Sequence, residues 1–160
     1  IIQTSLDTGA LEKFFLPDGM IGDSLPKAIG SDLNGSIGSV PGTDSPGAEK
    51  YSKLAKANGF DSGPYGPESY DAAALIMLAM EAAKSSDSNV FKKHVMDVAN
   101  APGIKIFPGE LAKAISLIKA GKSIDYVGAT ALELVGSGES SGSFAEILID
   151  NGKVNKVGYR

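Results

Sequence analysis

The stretch Tyr65-Gly66-Pro67-Glu68-Ser69-Tyr70-Asp71-Ala72, with the apolar run that follows it to Met80, constrains this chain most. Pro67 can open a helix, because the first helical position needs no backbone donor. Glu68 and Asp71 place negative charge in the first turn, where the helix dipole favours it. Lys84 stands at the far end, where a cation is favoured. Every residue from Ala72 to Met80 is apolar, so the pattern predicts a helix apolar on all sides and therefore buried. The run is far short of the roughly 20 residues that span a bilayer. It reads as the central core helix of a folded domain, with Tyr65 at the rim of whatever its N-terminus faces.

A chain of 160 residues can build a substantial core around such a helix. Fifteen basic and 19 acidic residues give a net charge of −4 with no basic run, which argues against nucleic acid and anionic membranes as partners. Without cysteine, disulfides and thiolate chemistry are excluded, and zinc would have to rely on the single histidine and carboxylates. No signal peptide or transmembrane segment is visible. The opening Ile1-Ile2-Gln3 reads as the inside of an element, so any targeting information is expected to have been cut away.

Along the chain, Ile1 to Asp7 has a weak helical pattern stopped at Thr8-Gly9. Lys13 to Leu16 reads as a short strand, followed by the turn Pro17-Asp18-Gly19. A carboxylate on a turn after a buried strand either shapes the turn or meets a ligand, and Asp18 is open to both readings. Asp23 or Ser24 caps a helix to Ile29, and Ser36 to Val40 is a strand. Pro41 to Gly47 is the richest Pro/Gly/Ser stretch and the best candidate for a crossover. Ser45 caps a helix running to about Asn58, with Pro46 at its first position, Gly59 as its stop and Glu49/Lys53 as an i,i+4 pair.

Asp87 or Ser88 caps a helix to about Ala99, on which His94 lies off the apolar stripe and reads as a surface residue. Ile104 to Phe107 is extended. Leu111, Ile115 and Ile118 mark a helix ended by Gly121. Tyr126-Val127 and Ala131 to Val135 read as short strands. Gly136 to Gly142 is a turn and not a dinucleotide fingerprint, because its third glycine is one position late and no helix follows. Phe144 to Asp150 and Lys153 to Val157 flank Asn151-Gly152, a strong hairpin signal. No repeat, Walker loop, metal-ligand spacing or nucleophile elbow is present.

Three runs carry a resemblance: Phe14-Phe15-Leu16-Pro17-Asp18-Gly19-Met20, then Asn34-Gly35-Ser36-Ile37-Gly38-Ser39-Val40-Pro41-Gly42, then Tyr65 to Ala72. Pro108-Gly109-Glu110, Ile124-Asp125-Tyr126-Val127-Gly128-Ala129 and the closing hairpin continue it in order. The ordered set resembles the branched-chain amino-acid-type substrate-binding proteins of ABC transporters, which are type I periplasmic binding proteins. The resemblance implies an α/β fold, a portion of a two-lobe architecture with a C-terminal β-hairpin, and it covers about the C-terminal half of the family's length. It assigns residues 1–42 to the second lobe, 43–134 to the first lobe after a crossover, and 135–160 to the closing hairpin of the second lobe.

Function follows as an expectation from the same resemblance. The chain would be the solute-binding component of an importer, closing on a small amino-acid-like solute and delivering it to a membrane permease. Its place would be the periplasm, or the cell exterior on a lipid anchor, with neither cofactor nor catalytic role. The family's acidic-Gly pair, which receives the ligand ammonium group, matches Asp18-Gly19. The aromatic residue before the core helix, which lines the side-chain pocket, matches Tyr65. The family's hydroxyl groups for a ligand carboxylate fall outside this chain, so a missing N-terminal half or a second copy would have to complete the site. A ligand-sensing domain of a receptor or amide-responsive regulator shares the same fold. An enzyme using Asp18, Glu68 or Asp71 as acid or base would lack a nucleophile, metal set or paired histidine.

Overall fold

The structure, a computed structural model, describes every residue except Asp61, Ser62 and Pro64. The helices are α1 (Ile2–Asp7), α2 (Ser24–Ile29), α3 (Pro46–Ala57), α4 (Gly66–Ala83), α5 (Ser88–Phe91), α6 (Val95–Ala99) and α7 (Leu111–Lys119). The strands are β1 (Phe15–Leu16), β2 (Ile37–Pro41), β3 (Ile104–Ile106), β4 (Ile124–Tyr126), β5 (Leu134–Val135), β6 (Glu139–Ser140), β7 (Phe144–Asp150) and β8 (Lys153–Tyr159). The chain forms two compact units. One is Ile1–Thr43 with Ser143–Arg160, and the other is Asp44–Gly142.

The first unit is built on a four-stranded sheet in the order β1-β2-β7-β8. β1 runs parallel to β2, with Phe15 opposite Ile37, while β7 lies antiparallel to both β2 and β8. Asn151 and Gly152 join β7 to β8 with φ of 52° and 67°, the left-handed pair that a tight hairpin matching strand twist requires. Leu16, Leu33, Val40, Ala145, Ile147 and Ile149 form the core of this unit. Alternation along β2 and β7 sends Gly38, Val40, Ala145, Ile147 and Ile149 inward, as the two-residue strand period dictates. The expected strand from Lys13 is shorter, and Asp18–Met20 forms one 3-10 turn directly after it.

The second unit is organised on α4. Ala74, Leu75, Leu78 and Ala79 pack with Val98, Ala99, Ile106, Ala114, Ile124 and Tyr126, which joins α4 to α6, α7 and the parallel pair β3-β4. The expectation that α4 is buried on all sides is corrected here. Ala72, Ala73, Ile76 and Met77 are exposed, Ile76 at 44% and Met77 at 47%. An apolar run fixes what a helix can bury, but the elements packed on α4 within this unit contact one face.

The single helix expected to run to Ala99 is instead α5, a 3-10 turn at Lys92–His94, and α6. Asp87 caps its start by accepting from the Asn89 N–H at 2.8 Å. The segment expected as a strand from Ala131 pairs only at Leu134–Val135, with Glu139–Ser140. Ala131 has φ of 54°, which is incompatible with extended backbone. Among the described residues, no helix is long and apolar enough to cross a membrane.

Candidate functional site

In the second unit, α3 and the start of α4 flank an open pocket. Ser45 caps α3 by accepting from the Ala48 N–H at 3.2 Å, and Pro46 occupies the first turn. The helix then turns one stripe inward at Gly47, Tyr51, Leu54 and Ala55, the spacing of a single helical face. Gly47 and Tyr51 are buried. A Cβ on Gly47 would fall 1.9 Å from the Gly128 carbonyl oxygen, so only glycine permits this approach of α3 to the 127–130 loop.

From α4 come Tyr65, Gly66, Ser69 and Tyr70. The Tyr51 and Tyr70 rings meet edge to face, with centroids 5.4 Å apart at 61°, the arrangement that ring quadrupoles favour. The Tyr70 hydroxyl accepts from the Gly109 N–H at 3.0 Å. The pocket is open to solvent, with a volume of about 580 Å³, and its walls include Tyr51, Leu54 and Ala55 of α3, Phe60, and Tyr65 and Tyr70 at the start of α4.

One turn into α4, Asp71 is 2% exposed. Its Oδ1 accepts from the Tyr126 hydroxyl and the Ala129 N–H, both at 2.8 Å. Its Oδ2 accepts from the Thr130 N–H at 2.8 Å and the Thr130 hydroxyl at 2.7 Å. Burial, and then the neighbouring Asp71 charge, hold the Tyr126 hydroxyl well above the ordinary tyrosine range. Tyr126 therefore stays a donor. Asp71 is spent on fixing the 127–130 loop and is not placed as an acid or base.

Glu68 behaves differently. Its Oε2 is buried without a hydrogen-bond partner. Burial raises its carboxyl above the ordinary range; its own backbone N–H works against this, and the Asp71 charge adds to it.

Asp18 and Gly19 belong to the first unit, at the C-terminal end of β1. Both are exposed, and the Asp18 Oδ1 accepts from the Gly19 N–H at 2.7 Å. The carboxylate thus shapes its own turn and is also held in place at a strand end. Tyr65 belongs to the second unit, at the mouth of the aromatic cavity. His94 lies at the surface with Nδ1 3.5 Å from the Asp97 carboxylate. Among the described residues, no group of three or more His, Asp or Glu side chains could hold a metal ion.

Tyr51, Leu54, Ala55, Phe60 and Ser69 line the cavity but do not stand out from the sequence. The signal was the 47/51/54/55 stripe, which periodicity alone cannot distinguish from ordinary core.

The two units together have part of the type I periplasmic binding protein fold, an α/β architecture. A solved structure with this fold is the leucine-binding protein LivK of Thermotoga maritima MSB8, similar with a TM-score of 0.68 at 16% identity. The likeness covers 98% of this chain and 39% of that one. No family profile and no curated protein matches the sequence.

Proposed function

We propose that this chain is the solute-binding part of an ABC importer and captures a small amino-acid-like ligand without transforming it. The observation that carries this reading is the position of Tyr65, which lines a cavity walled by aromatic rings at the N-terminus of α4. It occurs in a chain whose fold is similar to that of a leucine-binding protein. Cavities of roughly 300–1,000 Å³ with mostly apolar walls are the usual form of small-molecule sites. Asp18, fixed in its turn by the Gly19 N–H, supplies a charge-assisted acceptor for a ligand ammonium group. Tyr65 supplies apolar area with little rotamer entropy to lose.

In this reading the unit Ile1–Thr43 with Ser143–Arg160 is one lobe of the solute-binding architecture and the unit Asp44–Gly142 is the other. A membrane permease receives the solute, at the periplasmic side or from a lipid-anchored protein outside the cell. A missing N-terminal half, or a second copy of the chain, supplies the groups that hold the ligand carboxylate. Calorimetric titration of the complete protein with leucine-like amino acids and their deaminated acids tests the reading. A saturable heat for the amino acids supports it. No saturable heat from any of them refutes it, and preference for the deaminated acid refutes the solute class.

A further inference from the structure

Three Asn-Gly pairs occur in the chain: Asn34-Gly35, Asn58-Gly59 and Asn151-Gly152. In such a pair the glycine nitrogen can attack the asparagine side-chain carbonyl carbon. No side chain shields that nitrogen, and glycine reaches the backbone angles that ring closure needs. In a folded chain the rate depends on what holds the nitrogen and how easily that hold opens.

Two of the pairs are held by distant segments. The Gly35 N–H donates to the Ile149 carbonyl at 2.8 Å, next to the β2–β7 ladder, and Asn34 is half-buried. The Gly152 N–H donates to the Asn34 Oδ1 at 3.0 Å, across 118 residues of sequence. Freeing either nitrogen means pulling the β7–β8 hairpin away from the segment before β2. Among the described residues, Asn58-Gly59 is held by α3 itself. Both residues are exposed. The Gly59 N–H donates to the Lys56 carbonyl at 3.1 Å, and the Asn58 Nδ2 to the Leu54 carbonyl at 2.8 Å. These acceptors lie in the last turn of the helix, and helix ends fray without opening the rest of a fold.

We infer that Asn58 is the site at which the folded chain deamidates, and that the Asn34 side chain guards Asn151 against the same reaction. The Gly59 nitrogen bonds to the Asn58 Cγ, the Cγ–Nδ2 bond breaks, and ammonia leaves with the proton that the nitrogen gave up. Water then opens the cyclic imide at either carbonyl, to aspartate or isoaspartate. The net exchange is one amide and one water for one acid and one ammonia. The new carboxylate stands at the C-terminus of α3, where the helix dipole opposes it, and it no longer donates to Leu54.

The experiment incubates the chain at mildly alkaline pH, folded and in urea, and follows acid formation at each site by peptide mapping with mass spectrometry. In the folded chain, Asn58 is expected to convert at least tenfold faster than Asn34 or Asn151. In urea the three rates should converge. Asn34→Ala frees the Gly152 N–H, so conversion at Asn151 rises severalfold while that at Asn58 does not change. Asn34→Asp keeps an acceptor oxygen and leaves Asn151 slow. Equal rates at the three sites in the folded chain overturn the assignment of Asn58, as does an Asn58 that converts in urea alone. An Asn151 rate that Asn34→Ala leaves unchanged overturns the guarding role. So does a rise that Asn58 shares or that Asn34→Asp fails to prevent.

Discussion

Tyr126 on β4 donates its hydroxyl to Asp71 on α4 at 2.8 Å, with both side chains out of contact with solvent. The same carboxylate takes the N–H groups of Ala129 and Thr130. A buried charge is tolerated here because donors surround it. The core helix is thereby tied to the end of β4 and to the loop beyond it.

Asp71→Asn keeps the volume but turns one acceptor oxygen into a donor that faces other donors. We expect a loss of about 4 kcal/mol in urea unfolding, and about 2 kcal/mol for Tyr126→Phe, which removes one hydrogen bond to a charged group. Equal losses in the two variants would contradict the network as described.

Glu68 should make stability depend on pH. Its folded-state carboxyl is raised above 4.5, mainly by burial, so the unfolded chain holds the ionised form more easily. The associated stability is fully present below the ordinary carboxylate range and is lost as pH rises through the folded value. Glu68→Gln should therefore raise the melting temperature at pH near 7, with the gain disappearing near pH 4. A gain of the same size at both pH values would show that charge is not its cause.

Gly47→Ala would normally help a helix by roughly 0.5–1 kcal/mol. Here the new Cβ meets the Gly128 carbonyl, and backbone must move, so a net loss of about 1–3 kcal/mol is expected. Ser52→Ala on the exposed face of α3 serves as the control, within about 0.5 kcal/mol of wild type. Chemical denaturation of the two variants makes the comparison.

Asp18→Asn removes the charge and keeps the turn propensity. It should cost about 2–5 kcal/mol of affinity for an amino-acid ligand, the range for truncating a buried charge pair. The exposed position predicts a nearly unchanged melting temperature without ligand. Calorimetry on the complete protein decides, and an unaltered affinity would return Asp18 to a turn-forming role alone.

Tyr65→Ala should weaken the same binding by about 1–3 kcal/mol through lost apolar contact, and Tyr65→Phe by much less. A variant pair with equal affinities would remove the ring from the contact surface.

Features with local causes were legible in the sequence. Ser45-Pro46 and Gly59 bound α3, Asn151-Gly152 made the hairpin, and Gly121 stopped α7 because each acts within a few residues. Asp71 was placed in the right helix but read as a dipole charge, since the donors that define it lie 55–59 residues away. The break at Lys92–His94 was hidden because the apolar stripe of Val90, Phe91, Val95 and Val98 continues across it. The exposed face of α4 was hidden for a related reason: composition gives the apolarity of a helix and says nothing of how many neighbours reach it. Tyr65 was legible as a rim residue, whereas the size of the cavity depends on how α3 approaches α4.

Tyr70 and Asp71 are consecutive, yet they reach different loops: the first holds the Gly109 N–H and the second the Ala129 and Thr130 N–H groups. One peptide unit at the start of α4 therefore clamps two separate connections. The amide protons of Gly109, Ala129 and Thr130 should then exchange with solvent deuterium as a group, released by the same opening of that turn. A solute resting on Tyr65, Ser69 and Tyr70 would slow all three together, so occupancy of the cavity becomes readable at positions the solute never touches.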